Sequence, residues 1–289
     1  MSERSSCSAS FGNVKISHLD FAGDAVIFAE TPYILLGVLK VLNEESELLG
    51  LRVPWVKTNI QAFNDILDAA ILSVPVCGED IEVTEGFTFL GSDIHVPAGC
   101  EPEVNRRLGR AWGVMDSLDH GVWCCWYLCG RAKVRVFRPL VLPVLFFGCE
   151  TWTLTRDLRW RLNSFGTRSL QRIFGYHWLD FVSNKQLLRE TQMRSVICIV
   201  LEHQLQLYGH VACFLDADPA HQIISARESR EWRRPMGRPR VSWLQQVDQH
   251  LKEMGMGQAF AWGMARRRPL EYRRKVDAAT HCSGTCSHT

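Results

Sequence analysis

Two aspartates bracket a tight turn near the start of the chain, in Leu19-Asp20-Phe21-Ala22-Gly23-Asp24-Ala25-Val26-Ile27-Phe28. The stretch reads as two short apolar strands joined at that turn. Such a hairpin lifts carboxylates off its tip, where they can grip divalent cations. Two-metal chemistry needs carboxylates from separate strands holding ions roughly 4 Å apart, each ion lowering the cost of charge on an attacking or leaving oxygen. Asp24 is the candidate ligand. Gly23 offers no side chain, and Asp20 lies four residues along, roughly 13 Å in an extended strand, although a sharp turn would bring it nearer. The plainer reading of Asp24 is a turn residue, because Gly-Asp suits hairpin tips.

The other residues equipped for chemistry are cations. Arg106, Arg107 and Arg110 fall largely off an apolar helical stripe, which suits tracking along a phosphate backbone. It equally suits the ordinary charged face of a soluble helix. Arg233, Arg234, Arg238 and Arg240 alternate with Pro and Gly ahead of Trp243. Like charges in such a segment repel unless a polyanion neutralises them. Trp232 and Trp243 can stack on bases or sit in a core. Arg266-Arg267-Arg268 and Arg273-Arg274-Lys275 extend the basic character and also match a nuclear-import pattern, a weak motif. His281, Cys282, Cys286 and His288 offer zinc-ligand types, but no loop separates ligand pairs as in ordinary structural sites. There is no phosphate-cradling glycine loop and no nucleophile–base arrangement.

Composition narrows the class. The 289 residues are 46% hydrophobic and 22% charged, the balance of a globular chain long enough for two small domains. A net charge of +2 conceals an asymmetry: residues 1–100 hold 5 Lys/Arg against 14 Asp/Glu, and residues 101–289 hold 28 against 17. The basic part points to a nucleic acid or another acidic partner. Met1 to Ser10 is Ser-rich and lacks a charged, apolar leader, so an intracellular chain with reduced thiols is expected. The longest apolar run, Leu140 to Phe147, is too short to span a bilayer.

Elements follow from periodicity. Thr31-Pro32 predicts a capped helix carrying Ile34, Leu35, Val38, Leu39 and Leu42 and closed by Gly50. Leu51–Val53, Asn59–Phe63 and Phe87–Leu90 read as strands. From Glu101 the pattern turns helical, with Val104, Leu108, Ala111, Met115 and Leu118 in one stripe. Further helices are expected over Leu158–Ile173, Arg194–Phe214 and after a Ser242 cap. The tail from Thr280 reads as disordered.

The hairpin sequence resembles the reverse transcriptases of non-LTR (LINE-type) retrotransposons, whose motif here is Phe/Tyr-Ala-Asp-Asp. Gly23 replaces the first of the paired aspartates. Leu49-Gly50-Leu51-Arg52-Val53 with Lys57-Thr58 is similar to the next motif, and Phe87-Thr88-Phe89-Leu90-Gly91-Ser92 to the primer-grip segment. Gly148-Cys149-Glu150-Thr151-Trp152-Thr153-Leu154 resembles the Tyr-Gly-x-Glu-Thr-Trp signature. Tyr208-Gly209-His210-Val211 and Gly237-Arg238-Pro239-Arg240 through Trp243 resemble the family's C-terminal segments. The ordered series is more specific than any one member.

The resemblance implies an α+β fold: a partial polymerase palm over residues 1–100 (catalytic hairpin, helix and short strands), then thumb-like helices over 101–155. A helical C-terminal region would occupy 156–225, and a basic linker, a helix and a tail 226–289. It implies RNA-directed DNA polymerase ancestry, Mg²⁺ as the cofactor, and an RNA template and DNA primer as partners. Asp24 would be a metal ligand completed by an upstream carboxylate, and Lys57 would approach the triphosphate; a solvated lysine is the alternative. The thumb arginines Arg106, Arg107 and Arg110 would track a duplex. Gly23, and only about twenty residues ahead of the hairpin, leave the carboxylate set incomplete. The expectation is a catalytically inactive fragment of a longer ancestor, retaining sequence-independent nucleic-acid binding and no membrane partner. The alternative is an active polymerase once the upstream part is supplied.

Overall fold

β1 (Ala9–Phe11) pairs antiparallel with β2 (Val14–Ile16), and β3 (His18–Phe21) with β4 (Asp24–Ile27), as two separate hairpins. The computed structural model that shows this describes residues 8–11, 14–62, 72–95, 99–225 and 241–281. Helix α1 (Pro32–Leu48) begins as its residues require: the Thr31 hydroxyl accepts from the Ile34 N–H at 3.4 Å and Pro32 opens the first turn. It ends ahead of Gly50, which takes a left-handed φ of 73°.

A strand does not form at Leu51–Val53. That stretch is irregular and runs into a 3₁₀ turn at Trp55–Lys57, where Pro54 brings no N–H to a ladder. β5 (Asn59–Ile60) lies parallel to β7 (Glu79–Val83), which pairs antiparallel with β6 (Ser73–Val76). The Cys77-Gly78 turn between β6 and β7 has both φ values positive, as a right-twisted two-residue hairpin demands. β8 (Gly86–Phe89) and β9 (Ser92–His95) form a further hairpin.

The helical part comprises α2 (Glu101–Ser117), α3 (Gly130–Leu140), α4 (Leu142–Phe146), α5 (Arg156–Phe174), α6 (Asn184–Thr191) and α7 (Val196–Ala212). After these come α8 (Pro219–Ser225), α9 (Trp243–Glu253), α10 (Gln258–Arg267) and α11 (Pro269–His281). No helix among the described residues is long and apolar enough to cross a membrane.

The chain divides into two compact units. One takes the described residues of Met1–Phe89, Asp93–Pro97 and Phe214–Pro239; the other takes Leu90–Ser92, Ala98–Cys213 and Arg240–Thr289. The first has a small core of Leu39, Ile60, Val76 and Ile81, with Ile27, Leu35 and Trp55 against it. The second is larger. The stripe Val104, Ala111 and Met115 meets Leu158, Leu162, Phe165, Leu170 and Ile173 of α5 and Val196, Ile197 and Val200 of α7. Leu142, Leu145 and Phe146, from the longest apolar run, fill the same core. α7 is buried on most of its circumference because α5, α10 and α11 all pack on it.

Candidate nucleic-acid interface

The hairpin is built for a turn rather than for a pair of metals. Its register is Phe21↔Asp24 and Asp20↔Ala25. Cross-strand partners share a face, and neighbours along a strand alternate. Asp24 therefore stands on one face of the ribbon and Asp20 on the other. The turn brings their strands together while the pleat aims their carboxylates apart. Asp20 instead lies 3.6 Å from the His18 imidazole. Among the described residues, no trio of His, Cys, Asp or Glu ligand atoms gathers at Asp24. The side chains placed there do not fit a Mg²⁺ pair. Lys57 is exposed at the end of its 3₁₀ turn.

The glycine is not what the turn requires. Ala22 holds the left-handed position with φ 53°, and Gly23 does not have a positive φ. A Cβ built on Gly23 meets nothing within 4 Å. The absent carboxylate thus has room.

The three arginines of α2 separate sharply. Arg107 is 4% exposed, its Nε donates to Glu103 Oε1 at 2.7 Å, and its other arm donates to the Gly91 carbonyl. Its guanidinium also lies 4.4 Å from the centre of the Phe147 ring. Arg106 donates to Glu103 at 2.8 Å and to the Gly91 carbonyl at 2.7 Å. Both arginines hold the Leu90–Ser92 turn instead of facing outward. Of the three, Arg110 alone is exposed. On α5, Arg172 pairs with Asp116 and Asp119, and Arg161 with Asp157, leaving Arg168 open. Arg233, Arg234, Arg238, Arg240 and Trp232 lie outside the described residues.

Three of the sequence motifs converge in the second unit. Gly148 takes φ 75° ahead of the 3₁₀ turn Cys149–Thr151. The Glu150 carbonyl accepts from the Trp243 indole at 2.8 Å, so Trp243 is half-buried and anchored. Gln204 donates to the Trp152 carbonyl at 2.7 Å, and Gln246 clamps Leu154 through both its carbonyl and its N–H. Gly209 packs directly under Tyr272, whose hydroxyl donates to the Leu205 carbonyl at 2.8 Å. In Gly-His-Val, Val211 is buried and His210 is exposed.

Buried acids and bases here are tuned by desolvation. Burial raises the Tyr272 hydroxyl and the Cys149 thiol well above their ordinary ranges, and pushes Tyr208 up to about 12. Burial lowers His250, against the opposing pull of Glu253. Its contacts suit a neutral ring, with Nε2 accepting from Arg159 at 3.2 Å and Nδ1 donating to Glu253 at 3.2 Å.

An open aromatic pair precedes α3. Trp126 is 92% exposed and Tyr127 69%, with ring centres 6.0 Å apart in an edge-on arrangement. Arg131 and Arg135, one helical turn apart on α3, are exposed. Arg110, Arg131, Arg135 and Arg168 make no ion pair among the described residues. Exposed aromatic rings and guanidinium groups without ion pairs are what single-stranded nucleic acid needs: stacking for bases and positive charge for phosphates.

A Caenorhabditis elegans protein described as transposon-derived is 24% identical to this chain over 235 residues, covering 79% of this chain and 82% of that one. The likeness supports a transposon origin. No protein-family model matches the chain. No solved structure matches it either.

Sequence reading passed over Trp126, Tyr127, Arg131 and Arg135 because residues 119–129 show no simple period and the amphipathic α3 that follows is short. A turn of π-helix at Asp119–Trp123 and a loop interrupt the pattern before α3 starts. The usable signal was local: two adjacent aromatics followed by basic residues at helical spacing.

Proposed function

We propose that this chain descends from the reverse transcriptase of a non-LTR retrotransposon and acts as a sequence-tolerant nucleic-acid-binding protein without polymerase activity of its own. The observation that carries the binding reading is the exposed Trp126–Tyr127 pair, followed along the chain by the exposed Arg131 and Arg135 of α3. Ancestry is supported by the ordered motifs and by the transposon-derived relative. The absence of polymerisation rests on Gly23 and on carboxylates aimed to opposite faces of the hairpin.

Binding in this reading is electrostatic first, with stacking second. Affinity therefore falls steeply with salt through counterion release. The test is fluorescence anisotropy of labelled single-stranded RNA, single-stranded DNA and duplex against the full chain over a salt series. Trp126→Ala with Tyr127→Ala should weaken single strands by about 1–3 kcal/mol per stacked base and duplex much less. Changing Arg233, Arg234, Arg238 and Arg240 together to Ala should flatten the log–log salt slope by roughly 3 to 4 units. Affinity and slope unchanged by both sets would remove the reading.

A further inference from the structure

We infer that Cys149, Glu150 and His203 form a binding site for a divalent transition-metal ion, with Zn²⁺ the ion its chemistry favours. The Cys149 Sγ lies 3.3 Å from His203 Nδ1, and these atoms and a Glu150 carboxylate oxygen all lie within 4.8 Å of one another. A tetrahedral zinc holds a sulfur and a nitrogen ligand about 3.6 Å apart, so the thiol–imidazole pair is already at ligand spacing. A thiolate and a carboxylate carry two negative charges, which a divalent cation balances with the neutral imidazole as third donor. The mixed sulfur, nitrogen and oxygen set disfavours Mg²⁺ and Ca²⁺, which take oxygen ligands.

The donors stand on a rigid frame. Cys149 and Glu150 share one 3₁₀ turn, held by the left-handed Gly148, by the Thr151 hydroxyl donating to the Gly148 carbonyl at 2.9 Å, and by the Trp243 indole on the Glu150 carbonyl. His203 sits on α7 beside Gln204, which binds the Trp152 carbonyl. Such support keeps ligands in place before an ion arrives. The neighbouring carboxylate of Glu202 is committed to Arg194. Glu150 is different: its carboxylate makes no hydrogen bond or ion pair among the described residues.

One side of the cluster opens on a cavity. Glu150 and His203 line a space of about 530 Å³ together with His210, Cys213, Tyr272 and Arg273. Three protein ligands beside a cavity leave a coordination position for water or a small anion, the pattern of zinc sites that keep an open position. A thiol–imidazole hydrogen bond alone accounts for two of these residues. It does not account for the unpaired carboxylate turned to the same point.

Co²⁺ is the probe, because a tetrahedral cobalt–thiolate complex absorbs where the protein does not. The full chain carries Cys282→Ser and Cys286→Ser, so that thiols near the C-terminus do not compete, and is kept reduced with a non-thiol reductant. Titration should give a thiolate-to-cobalt band saturating at one equivalent, and excess Zn²⁺ should abolish it. Cys149→Ser should remove the band. Glu150→Gln, at a half-buried position, should keep the band and weaken Co²⁺ by about tenfold or more, as should His203→Ala. Cys213→Ser should change neither. Zn²⁺ should raise the melting temperature of the parent and fail to do so in His203→Ala. If Cys149→Ser does not fold, the Glu150→Gln affinity decides the matter. No band in the parent, or a band and affinity indifferent to Glu150→Gln and His203→Ala, would overturn the site and leave Cys149 and His203 as a buried hydrogen-bonded pair.

Discussion

Arg107 and Glu103 form a buried ion pair one turn apart on α2, Nε to Oε1 at 2.7 Å, with side chains 5% and 4% exposed. The second arm of Arg107 binds the Gly91 carbonyl, so one side chain links α2 to the Leu90–Ser92 turn. Removing either charge strands the other where water cannot reach it. Arg107→Ala should therefore cost about 3–5 kcal/mol in urea unfolding of the second unit. Arg110→Ala, at an exposed position, should leave stability within about 0.5 kcal/mol and reduce the salt slope of nucleic-acid binding by roughly 1. The reverse pattern, with Arg107 affecting binding and not folding, would sink this division of roles.

The β3–β4 hairpin stores strain at Ala22 and not at Gly23. A left-handed alanine costs about 1–2 kcal/mol relative to a permissive residue. Ala22→Gly should stabilise the hairpin, read as slower amide exchange across His18–Ile27. Gly23→Asp should be tolerated, because a Cβ there meets nothing within 4 Å. It should still give no primer extension on an RNA template with Mg²⁺ or Mn²⁺, since Asp20 faces away. Template-dependent incorporation above an Asp24→Ala control would contradict that.

Two kinds of helical glycine are predicted to respond with opposite signs. A Cβ on Gly209 would stand 2.4 Å from the Tyr272 ring, a rigid buried group. Gly209→Ala should destabilise by about 1–3 kcal/mol through overpacking. Gly113 on α2 is exposed and a Cβ there meets nothing. Gly113→Ala should stabilise by about 0.5–1 kcal/mol, the ordinary helix preference. Equal effects at both positions would show that α11 is not seated on α7 at Gly209.

Stability should decline on both sides of neutral pH. His250 is lowered by burial, so the unfolded chain takes up its proton first. That contribution is intact above about pH 6.5 and is lost as pH falls below it. Cys149, Tyr208 and Tyr272 are raised by burial, so the unfolded chain releases their protons first. Their contribution is intact below about pH 9 and is lost as pH climbs through the alkaline range toward 12. Melting temperature followed from pH 5 to 11 should show a plateau flanked by two falls. His250→Gln should soften the acid fall alone, and Tyr272→Phe the alkaline one.

Local signals in the sequence carried through where the physics is local. The Thr31 and Ser242 caps, the α2 stripe, the α5 helix and the glycine stop at 50 are read correctly because a helix is specified by neighbours three and four residues away. The strand at Leu51–Val53 was misplaced, because a short apolar run ahead of a proline has no partner strand to select it. Composition alone revealed the acidic and basic halves. What the sequence could not show is which charges are spent. Arg106, Arg107 and Arg110 look alike along α2, yet two are committed to Glu103 and Gly91 and one is open. Asp20 and Asp24 look like neighbours at a turn, yet the pleat separates them. Cys149 and His203 stand 54 residues apart and meet at 3.3 Å only because α7 packs against the Cys149–Thr151 turn. Periodicity reports the face a residue occupies on its own element; the partner across that face is chosen by packing between elements, and only the folded chain brings the two together.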